Sequence, residues 1–279
     1  VLGDSVMSVL AYQDMNRITL YDMLKNEIED TSNFTVEGFH YPGFHFGVFY
    51  TVLQFLVNTE KLPSIIILPI NIRSFSPQWN MNPDYQYEKI IQKINSYLDS
   101  IQVSDDGLYG IDKEITYSKF IEYQSLYYRG IRELNSKFIS WVNRRPLDEN
   151  EFSKRYKEIF KWHYMYSLTK DNRKFLLLKK IIQIMKIQDT KILLYITPIN
   201  YRAGAKYAGD DFIRALNRNL QLIKDYLNED ISANIHFCDF SKTLPETSFT
   251  HLNDTTEHLN ENGRKLLASL ILEKIKTLY

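Results

Sequence analysis

The chain has 279 residues, with 34 Lys plus Arg balanced by 34 Asp plus Glu, so it is long enough for a substantial core and carries no net charge. That balance, with neither sign gathered into a block, removes any broad attraction to nucleic acid or anionic membrane and favours neutral or small polar substrates. The single cysteine, Cys238, excludes a disulfide framework, and no run reaches the ~18 to 20 apolar residues of a membrane span.

In chain order, Val1 and Leu2 read as the last rungs of a β-strand, which needs about five residues to cross a sheet, so an upstream segment or domain is expected. No signal peptide pattern is present, and location in the cell envelope or the cytoplasm stays open. Gly3-Asp4-Ser5 follows at the carboxyl end of that strand, the edge where open α/β sheets bind ligands. A serine there is either a helix N-cap or a nucleophile, and Val6 to Asn16 predicts a helix behind it. A weak strand is predicted at Phe34 to Val36. Tyr41 to Gly47 (YPGFHFG) sets Gly43 and Gly47 in a loop before an apolar helix over Gly47 to Val57, where a backbone N–H is placed to serve an oxyanion. Ser64 to Ile70 (SIIILPI) predicts a buried parallel strand. Asn71 follows it directly, either as a turn residue or as an amide donor to an oxyanion.

From about Asn80 to Ile187 no strand pattern occurs, while helices are predicted over Tyr87 to Ile101, Tyr117 to Val142 and Glu151 to Ile187, the last broken near Thr169 to Asn172. That stretch is too long for an ordinary crossover and reads as a helical insertion, residues 80–187, within a single domain spanning 1–279. Its tyrosines, with Trp141, Trp162 and His163, either pack the insertion together or line a substrate cleft.

Lys191 to Ile199 and Ala233 to Phe240 predict two more buried strands, the second carrying Cys238 as a buried structural thiol. Asn200, Tyr201 and Arg202 leave the ligand-bearing edge as weak substrate contacts, or as a loop closing onto a helix over Asp211 to Leu227 with Asp210 or Asp211 as cap. Finally, His258 lies in a polar loop before a helix over Glu261 to Leu278, where it is placed to accept a proton from the Ser5 hydroxyl. About five strands alternating with helices predict an α/β fold with a parallel sheet covered on both faces.

The order of Gly-Asp-Ser on strand one, a glycine after strand two, Asn71 after strand three and a late His258-Leu259-Asn260-x-x-Gly263 resembles the SGNH, or GDSL-type, serine hydrolase superfamily. The resemblance implies a flavodoxin-like three-layer α/β/α sandwich with a central parallel sheet of about five strands, and it leaves the helical insertion uncovered. It implies Ser5 as nucleophile, His258 as general base, and an oxyanion hole from the Ser5 amide, Asn71 and a glycine amide, with no metal or cofactor. Gly43 and Gly47 both fit the glycine block, and Gly47 is preferred because it adjoins the helix.

Two positions depart from the family pattern. Pro69-Ile70-Asn71-Ile72 stands in place of Gly-x-Asn-Asp, and Thr255 stands where an Asp precedes the histidine by three. A carboxylate has to accept from the far ring nitrogen of His258, so Asp254 is the candidate, with Glu257 or a pair lacking a carboxylate as alternatives. The activity implied is that of a serine-dependent ester hydrolase or O-acetyl transferase working through an acyl-enzyme on a small acyl ester such as an O-acylated carbohydrate. The competing reading is a non-catalytic carbohydrate-binding module on the same fold.

Overall fold

A computed structural model describes residues 1–11, 14–76, 88–100, 148–229, 232–250 and 257–278. The helix predicted over Tyr117 to Val142, which includes Trp141, and the side chain of Trp162 lie outside them. Strand β1 (Leu2–Gly3) pairs in parallel with β2 (Phe39–His40), Leu2 opposite Phe39. Three longer strands, β3 (Ile65–Ile70), β4 (Lys191–Ile196) and β5 (Ile235–Asp239), form a second parallel sheet in that order, with Ile66 opposite Ile192 and Leu194 opposite Phe237. The chain is therefore a mixed α/β protein whose described residues form parallel sheets of two and three strands, not the continuous five-stranded sheet expected.

Two sequence features account for the division. β1 is only two residues long, and although it lies beside β3, the edge it faces is short of a donor. Ser64 and Ile70 turn their carbonyls toward β4, accepting from Lys191 at 3.0 Å and Thr197 at 3.1 Å. Backbone groups alternate sides along a strand, so Pro69, which has no N–H, falls on the β1 side.

The expected strand at Phe34 to Val36 is displaced to β2. The Val36 N–H donates to Glu29 Oε1 at 2.8 Å, and its carbonyl accepts from Lys25 Nζ and Tyr21 Oη. Those three side chains belong to one helix and leave Val36 nothing to offer a ladder. β5 is also less buried than predicted: it is an edge strand, and Cys238 within it is a half-buried free thiol whose pKa burial raises.

Helices cover both faces of the three-stranded sheet. Ile66, Leu68 and Ile70 with Ile192, Leu194 and Ile196 point into one core. That core is shared with α3 (Phe46–Asn58), α5 (Glu149–Tyr164), α6 (Arg173–Lys186) and α7 (Tyr201–Glu229), while α4 (Glu88–Ser100) packs outside on α3. The alternate residues Ile67, Leu193 and Tyr195 face a second core with α1 (Ser5–Ser8), α2 (Leu20–Thr31) and α8 (Glu261–Ile275). This period-2 division of one apolar run between two cores is what a doubly covered parallel sheet requires.

Helix boundaries follow local capping. Thr19 and Asp22 form a reciprocal capping box that starts α2. The helix expected over Val6 to Asn16 is only α1, because Val9 turns extended and the segment from Asp14 to Ile18 is held by Arg264 of α8 instead. The break expected near Thr169 to Asn172 separates α5 from α6, with Asn172 capping the latter through Lys174 and Phe175. The helix expected over Asp211 to Leu227 is the second segment of α7, which follows a non-helical break at Gly209, and an unpredicted first segment from Tyr201 precedes it. Among the described residues no helix is long and apolar enough to cross a membrane.

Candidate active site

Ser5 opens α1 immediately beyond β1 and is buried. Asp4 is the N-cap, its Oδ1 accepting from the Val6 N–H at 2.9 Å, which sets the sharp exit from strand to helix. Gly3 is needed for that exit: a Cβ there would lie 2.3 Å from Met7 Cγ, so a larger residue would push α1 off the strand.

Asn71 leaves β3 at the same edge, with Oδ1 accepting from the Arg73 N–H at 3.0 Å. Its Nδ2 donates to Asp4 Oδ2 at 3.0 Å and to Glu257 Oε1 at 3.2 Å. Asp4 immediately precedes Ser5, and Glu257 immediately precedes His258. One side-chain amide therefore ties the turn carrying the serine to the loop carrying the histidine.

Glu257 is fully buried, which demands that its charge be matched. Arg73 Nε lies 2.8 Å from its Oε1, and the Tyr164 hydroxyl at the end of α5 donates to its Oε2 at 3.0 Å. Both carboxylate oxygens thus have partners other than His258. Asp4 has the weaker set of compensations. Burial raises its carboxyl pKa and Glu257 raises it further, opposed by the Val6 N–H, by Asn71 and by Arg73.

His258 is itself largely buried, and its carbonyl accepts from the Thr250 N–H at 2.9 Å beside an antiparallel bridge between Phe249 and Leu259. Asn260 then caps α8 through the Gly263 N–H at 3.1 Å. Gly263 is held against the Ser248 carbonyl, 2.1 Å from where a Cβ would sit, so the glycine of the last block lets α8 dock closely. Asp254 lies outside the described residues.

In the glycine block, the Gly47 N–H donates to His45 Nδ1 at 3.1 Å as part of the α3 N-cap. Gly43 has φ of 85° after Pro42 in a turn closed by the Phe44 N–H on the Tyr41 carbonyl, the proline-glycine order of a type II turn. Beyond β4, Asn200 is buried and its Oδ1 accepts from the Ala203 N–H at 3.2 Å, so it caps the first segment of α7, ahead of the break at Gly209. Tyr201 packs on Phe212 and carries Lys242 over its ring, while Arg202 is exposed.

Three residues at this edge were not singled out in the sequence: Arg73, Tyr164 and Asp4 as a cap and acceptor. His163, noted there only as one of the insertion's aromatics, is 5% exposed and is held neutral, its pKa well below the usual histidine range through burial and then the nearby Arg73 and His258. Asp4 caps α1 locally through Val6, but its bond to Asn71 and the contacts of Arg73 and Tyr164 with Glu257 join residues distant in sequence, which no local pattern marks. The described aromatics of α5 pack the helix onto its neighbours, the first of the two roles weighed for the insertion. Phe160 and Tyr164 pack edge-on against Phe212, and the Tyr164 hydroxyl still reaches the candidate site. Comparison with known protein families and with characterised proteins finds no match to this chain.

Proposed function

We propose that the chain is a serine-dependent ester hydrolase or O-acyl transferase of the SGNH type, with Ser5 as nucleophile and His258 as general base. The observation that carries this reading is the Asn71 side chain, whose amide joins the carboxylates beside Ser5 and beside His258. Three blocks expected to cooperate are thereby connected at one sheet edge. The position of β1 alongside β3 supports the finer flavodoxin-like order, in which β2 and β1 extend the three-stranded sheet.

In this mechanism Ser5 Oγ attacks the acyl carbonyl while His258 takes its proton, and the same proton goes to the departing alcohol as the tetrahedral intermediate collapses. Water or a sugar hydroxyl then attacks the acyl-enzyme, which decides between hydrolysis and transfer. The Ser5 N–H begins α1 and has no acceptor within the helix, so it is the oxyanion donor that requires no change of partner. Asn71 and Gly47 have to exchange Asp4, Glu257 or His45 for the oxyanion before they assist. The acid of the triad is assigned to Asp254 from its place four residues before His258, and the contacts of Asn71, Arg73 and Tyr164 with Glu257 support giving that residue a structural role. An O-acylated carbohydrate remains the favoured substrate class, with Asn200, Tyr201 and Arg202 as its outer contacts. The engagement of Asn71 and Gly47 favours the second reading, a carbohydrate-binding module without turnover.

Labelling by a fluorophosphonate probe and hydrolysis of p-nitrophenyl acetate separate the two. Ser5→Ala is expected to abolish labelling and to lower turnover by roughly 10⁴ to 10⁶. Equal labelling and turnover in wild type and Ser5→Ala would remove Ser5 as nucleophile.

A further inference from the structure

α5 belongs to the insertion that the SGNH-like pattern does not cover, yet its last residue touches the carboxylate next to His258. We propose that Tyr164 is a positioning residue: its hydrogen bond to Glu257 fixes the loop carrying His258, so that a productive site depends on the docked insertion. The proposal rests on the reading of Ser5 and His258 as a catalytic pair.

The downstream side of His258 is anchored by Thr250, by the Phe249–Leu259 bridge and by the Asn260 N–H on the Ser248 carbonyl at 3.0 Å. The upstream side is anchored through Glu257. Asn71 and Arg73 hold Oε1 from the β3 edge, and Tyr164 holds Oε2 from α5, so the carboxylate is gripped at both oxygens from two elements. A carboxylate held on one side only keeps rotational freedom, whereas one held on both fixes the backbone that precedes His258.

Tyr164 is itself well placed to hold a partner still. It is fully buried, its ring packs between Phe160 and Phe212, and a tyrosine has only two side-chain torsions to order. Asn219 of α7 secures the end of α5, donating to the carbonyls of Tyr164 and Tyr166 and accepting from the Leu168 N–H. The insertion thus reaches the site through a rigid path from α7 to α5 to Glu257.

Wild type, Ser5→Ala, Tyr164→Phe, Glu257→Gln, the double variant of the last two, and Tyr166→Phe are compared by p-nitrophenyl acetate kinetics, fluorophosphonate labelling rate and thermal unfolding. Tyr166→Phe is the control, because it deletes a similarly buried hydroxyl whose bond goes to the Ile72 carbonyl at 2.6 Å. Tyr164→Phe is expected to lower kcat and labelling rate about 10- to 100-fold with KM within about twofold, as a small displacement of a catalytic group does. The double variant with Glu257→Gln loses no more than the worse single variant, and Tyr166→Phe stays within about twofold of wild type. Wild-type kcat and labelling in Tyr164→Phe, or an equal fall in Tyr164→Phe and Tyr166→Phe, overturns the proposal. If Tyr164→Phe does not fold, a folded Glu257→Gln decides in the same way: a 10- to 100-fold loss of kcat supports it, about the same range as a displaced group, and wild-type kcat overturns it. Undiminished labelling of Ser5→Ala instead overturns the underlying assignment of the nucleophile, whatever Tyr164→Phe does.

Discussion

Asp4 is a helix cap, an acceptor for Asn71 and a buried carboxyl facing a second carboxylate, all within one residue of Ser5. Its folded-state pKa lies above the ordinary 3.8 because burial and Glu257 outweigh the hydrogen bonds and Arg73. The folded protein therefore holds the Asp4 proton to higher pH than the unfolded chain does. The stability which that proton confers is complete below the unfolded pKa and is lost as pH rises through the raised folded value. Urea unfolding at a series of pH values should show wild type losing stability relative to Asp4→Asn as pH rises from about 4 toward neutrality, the range above an ordinary Asp pKa. A difference independent of pH would show that Asp4 titrates alike in both states. None of this is legible in Gly-Asp-Ser alone. Asn71 could be picked out by its place after a strand, but its partners stand 67 and 186 residues away, and chain order says nothing about which side chains meet across the edge.

Elements were most legible where one local rule acts without competition. The apolar runs at β3 and β4 and the helical spacing of α3 and α8 hold over nearly their predicted lengths, because burial on two faces and capping by His45 and Asn260 agree. Prediction failed where a distant side chain takes over a backbone, as Glu29 does at Val36 and Arg264 does after α1. α7 shows the third case, an unpredicted first segment from Tyr201 joined to the expected helix at a non-helical glycine. Gly209 has φ of 67° and ψ of −157°, a conformation open to glycine and costly for any residue with a Cβ. No atom lies within 4 Å of the Cβ that alanine would add, so steric overlap with neighbours contributes nothing. Gly209→Ala is accordingly expected to lower stability by about 1 to 3 kcal/mol from backbone strain, seen as a lower urea midpoint with an unchanged m-value. An unchanged midpoint would mean that the bend in α7 relaxes to accommodate alanine.

At the scale of the whole molecule, the candidate site sits where the two cores meet at the sheet's carboxyl edge, Ser5 coming with the α1 side and Tyr164 with the α5 side. Pattern reading finds each core from its own periodicity and cannot find the ties between them. Within the α8 side, Arg264 makes a tie that is equally long in sequence. Its guanidinium is fully buried and donates to Asp14 Oδ2, to the Ile18 carbonyl at 3.1 Å and to the Leu259 carbonyl at 3.0 Å. It thus joins the segment that follows α1 to the residue that follows His258. The Asp14 side chain is only 4% exposed, so removing the cation leaves a buried carboxylate without its main counter-charge. Arg264→Met should cost about 3 to 5 kcal/mol in urea unfolding, the penalty for stranding one member of a buried pair. Arg264→Lys, which keeps the charge but not the planar fork, should fall between it and wild type. A loss below about 1 kcal/mol in Arg264→Met would mean that water replaces the guanidinium at Asp14, as it does for ion pairs at a surface.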